Sequence, residues 1–280
     1  MSILLNKIGI GTVQFGTDYG ISNSNGQTTL EEVEEIIHYA KENNIHYLDT
    51  AYAYGNAEEV LGQFELSDFR IISKYIPQDS MQSYDQFEAT LNRLNQNSLY
   101  GYMAHRPLDL IKNNKKNWKI LLNLKSNKRV KKIGGSFNCI EELEQVLEAG
   151  IELDVIQVPY NYFDRRFEKS MIVLKSTGCE IHTRSAFLQG LFFCDVETLN
   201  PFFEEIKPLL RQIQTCQNLS GQLLKFVLEK NFVDVVNIGV NNLKQLKQNI
   251  ENIQDVDSTL PQLENRIRTE ILTPSKWPIN

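Results

Sequence analysis

The stretch Leu48-Asp49-Thr50-Ala51-Tyr52-Ala53-Tyr54-Gly55-Asn56-Ala57-Glu58 decides how this chain folds. An apolar run, Ile45 to Leu48, leads into a carboxylate at Asp49; a short aromatic loop follows, and a helix begins near Ala57. In (β/α) folds, reactive side chains stand at strand exits and in the loops just beyond them. Two neighbouring stretches repeat the layout. Ile71-Ile72-Ser73-Lys74 ends an apolar strand on a lysine, and Tyr100-Gly101-Tyr102-Met103-Ala104-His105 ends one on a histidine. Successive parallel strands end on one rim, so Asp49, Tyr54, Lys74 and His105 are expected to meet there.

Further out, strands and helices alternate along the whole chain. Ile8 to Thr12 reads as strand one, and a Gly/Asn/Ser-rich loop from Gly16 to Gln27 is long enough to be functional. Thr28 or Thr29 with Glu31 and Glu32 opens a helix carrying Val33, Ile36, Ile37 and Ala40 at helical spacing. Strand two ends at Asp49, and strand three is Arg70 to Ser73. Strand four is about Leu99 to Ala104, strand five Val130 to Gly134, and strand six Val155 to Val158. Strand seven is Glu180 to Arg184 and strand eight Val233 to Ile238. Helices are expected over Ser83–Asn95, Trp118–Leu124, Glu141–Glu148, Asp164–Ser176, Gly221–Glu229 and Leu243–Ile253. An extra helix is expected over Pro201–Gln214, after strand seven, and a closing amphipathic helix over Leu260–Ile271. Eight strand–helix units without repeats or linkers predict an α/β fold: a single (β/α)8 TIM barrel spanning residues 1–280. A doubly wound sheet fits less well, because no Gly-x-Gly-x-x-Gly fingerprint follows a strand.

The composition excludes several classes of partner. A net charge of −6 over 280 residues argues against a phosphate-backbone or membrane surface as partner. The basic run Lys125, Lys128, Arg129, Lys131 and Lys132 reads as a solvated helix end. Cys139, Cys179, Cys194 and Cys216 lie far apart without a Cys-x-x-Cys pair, as in a reduced cytoplasmic protein. No leader-like or membrane-spanning apolar run is present in the sequence. His38, His46, His105 and His182 show no metal-ligand spacing. These readings point to a cytoplasmic protein acting on a small molecule, either as a monomer or as a homodimer.

The four rim residues carry a specific chemistry. A free phenol titrates near about 10 and is a poor acid at neutral pH. An ammonium beside it favours the phenolate and makes it a serviceable donor to an alkoxide forming from a carbonyl. Asp49 would hold Lys74 charged, and His105 would orient the carbonyl oxygen. The set suits hydride reduction of a carbonyl with Tyr54 as acid, which implies a reduced nicotinamide. Lys74 as a Schiff-base nucleophile is the rival chemistry. Taken singly, each residue also has a plainer reading: Asp49-Thr50 a helix cap, Tyr54 a rim aromatic, Lys74 a solvent lysine, His105 a satisfied loop histidine.

Through Gly9-Ile10-Gly11-Thr12, Leu48-Asp49-Thr50-Ala51-x-x-Tyr54-Gly55, Lys74, His105, Gln157 and Ile238-Gly239-Val240 with Gln245 and Asn249, the chain resembles the aldo-keto reductases. The resemblance implies a catalytic tetrad at Asp49, Tyr54, Lys74 and His105, and NADPH as cofactor, with NADH not excluded. It implies cofactor contacts from Gly11, Thr12, Asp49, Ser136, Gln157, Arg184, Ser185, Leu188, Gly190, Ile238, Gly239, Val240, Asn241, Lys244, Gln245 and Asn249. The segment Thr12-Val13-Gln14-Phe15-Gly16-x-Asp18-Tyr19-Gly20-Ile21 resembles a bacterial branch associated with carbohydrate or sugar-nucleotide pathways. That analogy implies a sugar-derived aldehyde or ketone as substrate.

The chain departs from the family pattern at three places. Phe137 stands where the family places an Asn, with Asn138 one residue later. Arg184 stands where the family places a tyrosine that stacks on the nicotinamide, and a cation there would favour the reduced cofactor. Beyond strand eight only Lys244 is available where the family grips a 2′-phosphate with Arg or Lys. These departures leave a second reading open: a cofactor-binding regulatory module of the same fold with little turnover. The pocket mouth is expected to be formed by loop Gly16–Gln27, Phe137, Tyr160, Asn161 and loop Phe187–Asp195, with Tyr19, Tyr52 and Tyr54 offering stacking faces.

Overall fold

The computed structural model describes residues 2–20, 26–78, 81–254, 260–263 and 266–278. Eight parallel strands close into a barrel in sequence order. They are β1 (Ile8–Gly11), β2 (Tyr47–Asp49), β3 (Arg70–Tyr75), β4 (Leu99–Ala104), β5 (Val130–Ser136), β6 (Val155–Pro159), β7 (Glu180–Arg184) and β8 (Val235–Gly239). The barrel shuts where Ile8 pairs with Val236 and Ile10 with Ile238. A helix follows each strand on the outside. The (β/α)8 expectation is met.

The connecting helices form because their apolar residues recur on one face. In Leu30–Glu42, Val33, Ile36, Ile37 and Ala40 are buried, and Thr29 caps the helix by accepting from the Glu32 amide at 3.3 Å. Inside the barrel, Tyr47, Ile72, Met103, Val155 and Val235 make an apolar layer that fills the lumen. Deeper still, at the strands' N-terminal end, lies a polar cluster. Glu180 accepts from the Tyr100 hydroxyl at 2.8 Å, pairs with Lys132 at 3.2 Å and meets His182 at 2.7 Å. Arg70 donates to the Tyr47 hydroxyl at 2.6 Å. The barrel floor is shut.

The two elements expected after strand seven and at the chain's close take a different form. The expected extra helix exists as a 3₁₀ stretch, Pro201–Ile206, running into the α-helix Lys207–Gln214. The closing helix over 260–271 does not form in the described residues. Leu260, Leu263 and Ile267 pack against a second apolar cluster containing Tyr162, Phe192 and Leu210, but on irregular backbone. Tertiary partners take its backbone groups: the Tyr162 hydroxyl donates to the Pro261 carbonyl, and the Arg268 amide donates to Glu205 at 3.2 Å. Pro261 itself has no amide hydrogen for a helix. An amphipathic pattern serves a packed strap there.

Residues 21–25 of the loop 16–27, Ile21 among them, lie outside the described residues. No helix among the described residues is long and apolar enough to cross a membrane.

Candidate active site

The C-terminal ends of the strands bring the four rim residues together. Lys74, next to last in β3, is fully buried, and its ammonium donates to Asp49 Oδ2 at 2.7 Å and to the Thr50 carbonyl at 2.9 Å. The other oxygen of Asp49 accepts from Gln157 Nε2 at 2.7 Å. Lys74 Nζ lies 5.1 Å from the centroid of the Tyr54 ring, and the His105 ring meets Tyr54 edge-on at 5.8 Å. Burial alone works against the ammonium, but Asp49 and Tyr54, by charge and hydrogen bonding, hold the Lys74 pKa above its usual value. The ammonium keeps its proton.

His105 is pushed the other way. Burial first, then the cations Lys74 and Arg184, bring its pKa down to about 4. At neutral pH its ring is therefore uncharged, with one donor and one acceptor nitrogen. Its Nδ1 has no partner among the described residues.

Two glycines set the position of Tyr54. A Cβ on Gly16 would lie 1.8 Å from the Tyr54 carbonyl, and one on Gly55 would lie 2.1 Å from the Gly16 carbonyl. Gly55 also takes φ of +56°, a left-handed backbone that suits glycine. The loop after β1 and the loop after β2 thus touch backbone to backbone.

Asp49, Tyr54 and His105 line a cavity of about 640 Å³, while Lys74 is buried beside Asp49 and does not reach its surface. Of the cofactor positions implied by resemblance, most line it: Gly11, Thr12, Asp49, Ser136, Gln157, Arg184, Ser185, Gly190, Ile238, Gly239, Asn241, Gln245 and Asn249. Three do not. Leu188 and Val240 are buried in apolar clusters, and Lys244 is exposed to solvent outside the lining. The expected mouth residues Phe137, Tyr160 and Asn161 are also buried away from it. Phe137 joins the apolar core, the Tyr160 hydroxyl donates to Glu168 at 2.5 Å, and Asn161 donates to the Ser185 carbonyl at 2.9 Å. Tyr52 is turned aside, its ring under the Arg93 guanidinium at 4.2 Å. The mouth is made by the two expected loops, through Tyr19 from one and Phe187, Gln189 and Phe193 from the other, and Gln189 Nε2 donates to the Tyr19 hydroxyl at 2.7 Å.

Sequence reasoning missed several lining residues, among them Asn138, Asn237 and Gln14. Asn138, judged one position late, faces the cavity and accepts from Arg184 Nη2 at 2.6 Å. Asn237 lies in the cavity wall with both side-chain polar atoms unpartnered among the described residues, and so is Gln14 Oε1. The one visible signal was Asn237 itself, a polar residue inside the apolar run Val235-Val236-Asn237-Ile238.

An unpaired buried group costs about 1–3 kcal/mol, so the Asn237 and Gln14 side chains gain by turning toward a polar ligand in the cavity they line. A long cavity bounded by glycine backbone at Gly11, Gly190 and Gly239, with amide side chains along one wall, fits a nicotinamide dinucleotide. Its β8 end differs from a plain phosphate cradle. The Leu243 amide donates to Glu32 Oε2 at 2.9 Å, the Asn241 amide to Gln245 Oε1 at 2.8 Å, and the Gln245 amide to Asn242 Oδ1 at 2.9 Å. The amides opening the helix Leu243–Gln254 are therefore already engaged, one of them by a carboxylate.

Comparison with known proteins agrees with the barrel. The model of the Aldo/keto reductase family matches residues 7–262. The chain belongs to the aldo-keto reductases. Among solved structures it is similar to aldo-keto reductase AKR11C1 from Bacillus halodurans, at 20% identity over 90% of this chain and 88% of that one, with a TM-score of 0.73. It is also similar to the thermostable aldo-keto reductase Tm1743 crystallised with the inhibitor epalrestat, at 21% identity over 90% and 91%, with a TM-score of 0.66. At such identities the likeness is one of fold. No curated protein sequence matches the chain.

Proposed function

We propose that this protein reduces an aldehyde or ketone to the alcohol with NAD(P)H, Tyr54 acting as the general acid. The observation that carries this reading is the fully buried Lys74 ammonium, held 2.7 Å from Asp49 and set against the Tyr54 ring. Bound in the cavity, a reduced nicotinamide supplies the hydride. As negative charge develops on the carbonyl oxygen, Tyr54 gives that oxygen its proton. Lys74 steadies the phenolate left behind, and Asp49 with Gln157 keeps Lys74 aimed. Neutral His105 has a hydrogen bond to offer the same oxygen. Among the described residues no route for solvent is left through the barrel, because its lumen is filled below the cavity.

Gly11, Thr12, Ser136, Gln157, Ser185, Gly190, Gly239, Asn241, Gln245 and Asn249 would hold the cofactor. NADPH is the cofactor family likeness implies; NADH is its rival, because Glu32 rather than a cation meets the Leu243 amide. The sugar-derived substrate rests on the Thr12–Ile21 segment, and Tyr19 and Phe187 supply faces on which a ring can stack.

Fluorescence titration with NADPH and NADH separately, followed by an aldehyde panel with the tighter binder, tests the reading. Turnover is expected, and Tyr54→Phe is expected to lower kcat by about 10²–10⁴-fold with cofactor binding retained. Tight cofactor binding with no turnover of any carbonyl would instead favour the regulatory module.

A further inference from the structure

We propose that the carbonyl compound taken by this cavity carries an anionic group, a carboxylate or a phosphate, and that Arg184 is the residue that recognises it; this rests on the reductase reading above. Among the side chains lining the cavity, Asp49 and Arg184 are the acid and the base of permanent charge. Asp49 is already balanced, by Lys74 at 2.7 Å on one oxygen and by Gln157 at 2.7 Å on the other. Arg184 is not. Its guanidinium donates to the Phe137 carbonyl at 3.1 Å, to Asn138 Oδ1 at 2.6 Å and to Ser185 Oγ at 3.5 Å. All three partners are neutral, and no carboxylate among the described residues pairs with it.

Such contacts aim a cation without cancelling it. A guanidinium has five N–H donors and is protonated at any working pH. Three of the five are engaged here, leaving the Nε hydrogen and one on Nη1 for a ligand. A half-buried charge without a counter-charge is unfavourable, and an anion entering the cavity relieves that.

Position points to the substrate rather than to the cofactor's own phosphates. Arg184 ends β7 and lines the same cavity as Tyr54, His105 and Tyr19, so it faces the space where a carbonyl would meet Tyr54. The β8 side of the cavity presents the neutral amides of Asn241, Gln245, Gln248 and Asn249. Among the described residues, the cavity lining between Arg184 and the mouth is Phe187, Gln189 and Phe193, with no carboxylate in it.

The test compares 4-carboxybenzaldehyde with its neutral methyl ester, methyl 4-formylbenzoate, in wild type, Arg184→Met and Arg184→Lys. The quantity read is the ratio of kcat/KM for acid over ester, from which overall losses of activity cancel. Arg184→Met is expected to lower that ratio tenfold or more, mainly through KM for the acid, and Arg184→Lys to restore part of it. A ratio within threefold of wild type overturns the proposal. So does a Kd for NADPH weakened tenfold with the ratio unmoved, which would make the cofactor's phosphates the anion Arg184 serves.

A binding arm without turnover keeps the proposal exposed should Arg184→Met fail to fold. Calorimetry on the wild-type protein is expected to show benzoate binding at least tenfold more tightly than benzamide; equal or weaker binding of benzoate overturns the proposal. If the wild type reduces neither aldehyde, the reductase reading fails, while the benzoate arm still decides the anion site.

Discussion

At the scale of single residues, the candidate site is a chain of charge compensation that begins at Asp49. Its carboxylate is nearly solvent-free, so its worth lies in what it holds: Lys74 on one oxygen and Gln157 on the other. Removing one partner of a buried pair is far costlier than the pair is beneficial, because the survivor keeps its charge without a counter-ion. Lys74→Met is therefore expected to destabilise the fold by about 3–5 kcal/mol in urea melts, besides abolishing reduction. The double variant Lys74→Met, Asp49→Leu should recover much of that stability and none of the activity. These residues were legible in the sequence because each ends an apolar run, and runs of one sheet direction must finish on one rim. Gln14 and Asn138 were not legible. Their roles come from which loop crosses which, and no periodicity encodes that. Phe137 and Tyr160 were placed in the mouth for being aromatic and near it, but the core had a prior claim on both.

The elements show where local pattern yields to tertiary partners. The eight strands were readable, yet β3 continues to Tyr75 and β5 to Ser136, beyond the expected ends. There the parallel ladder carries on past the apolar run, as Tyr75 pairs with Ala104 and Ser136 with Gln157. The helix expected from Asp164 starts only at Glu168. The intervening turn is fixed by Asn161 Oδ1, which accepts from the amides of Phe163 and Asp164 at 2.9 Å each, and by Asp164 Oδ1, which accepts from the Arg166 amide at 3.2 Å. Side-chain acceptors of this kind compete with helix formation. The same competition undid the helix over 260–271. A different kind of element-level constraint is the contact of Gly16 with the Tyr54–Gly55 backbone. A methyl group on Gly16 has nowhere to go but into the Tyr54 carbonyl. Gly16→Ala is expected to lower kcat at least tenfold and to lower the melting temperature as well, because backbone has to shift to admit the methyl group, while circular dichroism still shows the barrel. A variant with undiminished kcat would show that the loop after β1 does not set the position of Tyr54.

On the scale of the whole molecule, the two ends of the barrel are built for different work. The upper rim gathers the reactive groups, and the lower end gathers Glu180, His182, Tyr100, Tyr47, Lys132 and Arg70. Burial by itself would raise the Glu180 pKa, but His182, Tyr100 and Lys132 together bring it down to about 2 from an ordinary 4.5. A carboxylate held below its unfolded value stabilises the fold fully above that value and loses its contribution as pH falls toward the folded one. The stability difference between wild type and Glu180→Gln, measured by urea melts, is expected to shrink by on the order of 2 kcal/mol between pH 5 and pH 2.5, allowing for solvent screening. A difference independent of pH would mean that Glu180 is not ionised in that cluster.

That sealed lower end makes the protein a cup rather than a tube. Two guests that share a vessel with a single opening cannot pass each other, so the one that lies deeper must arrive first and depart last. With the cofactor and carbonyl compound proposed above sharing that cavity, an ordered sequence of binding and release is expected, and product-inhibition patterns check it.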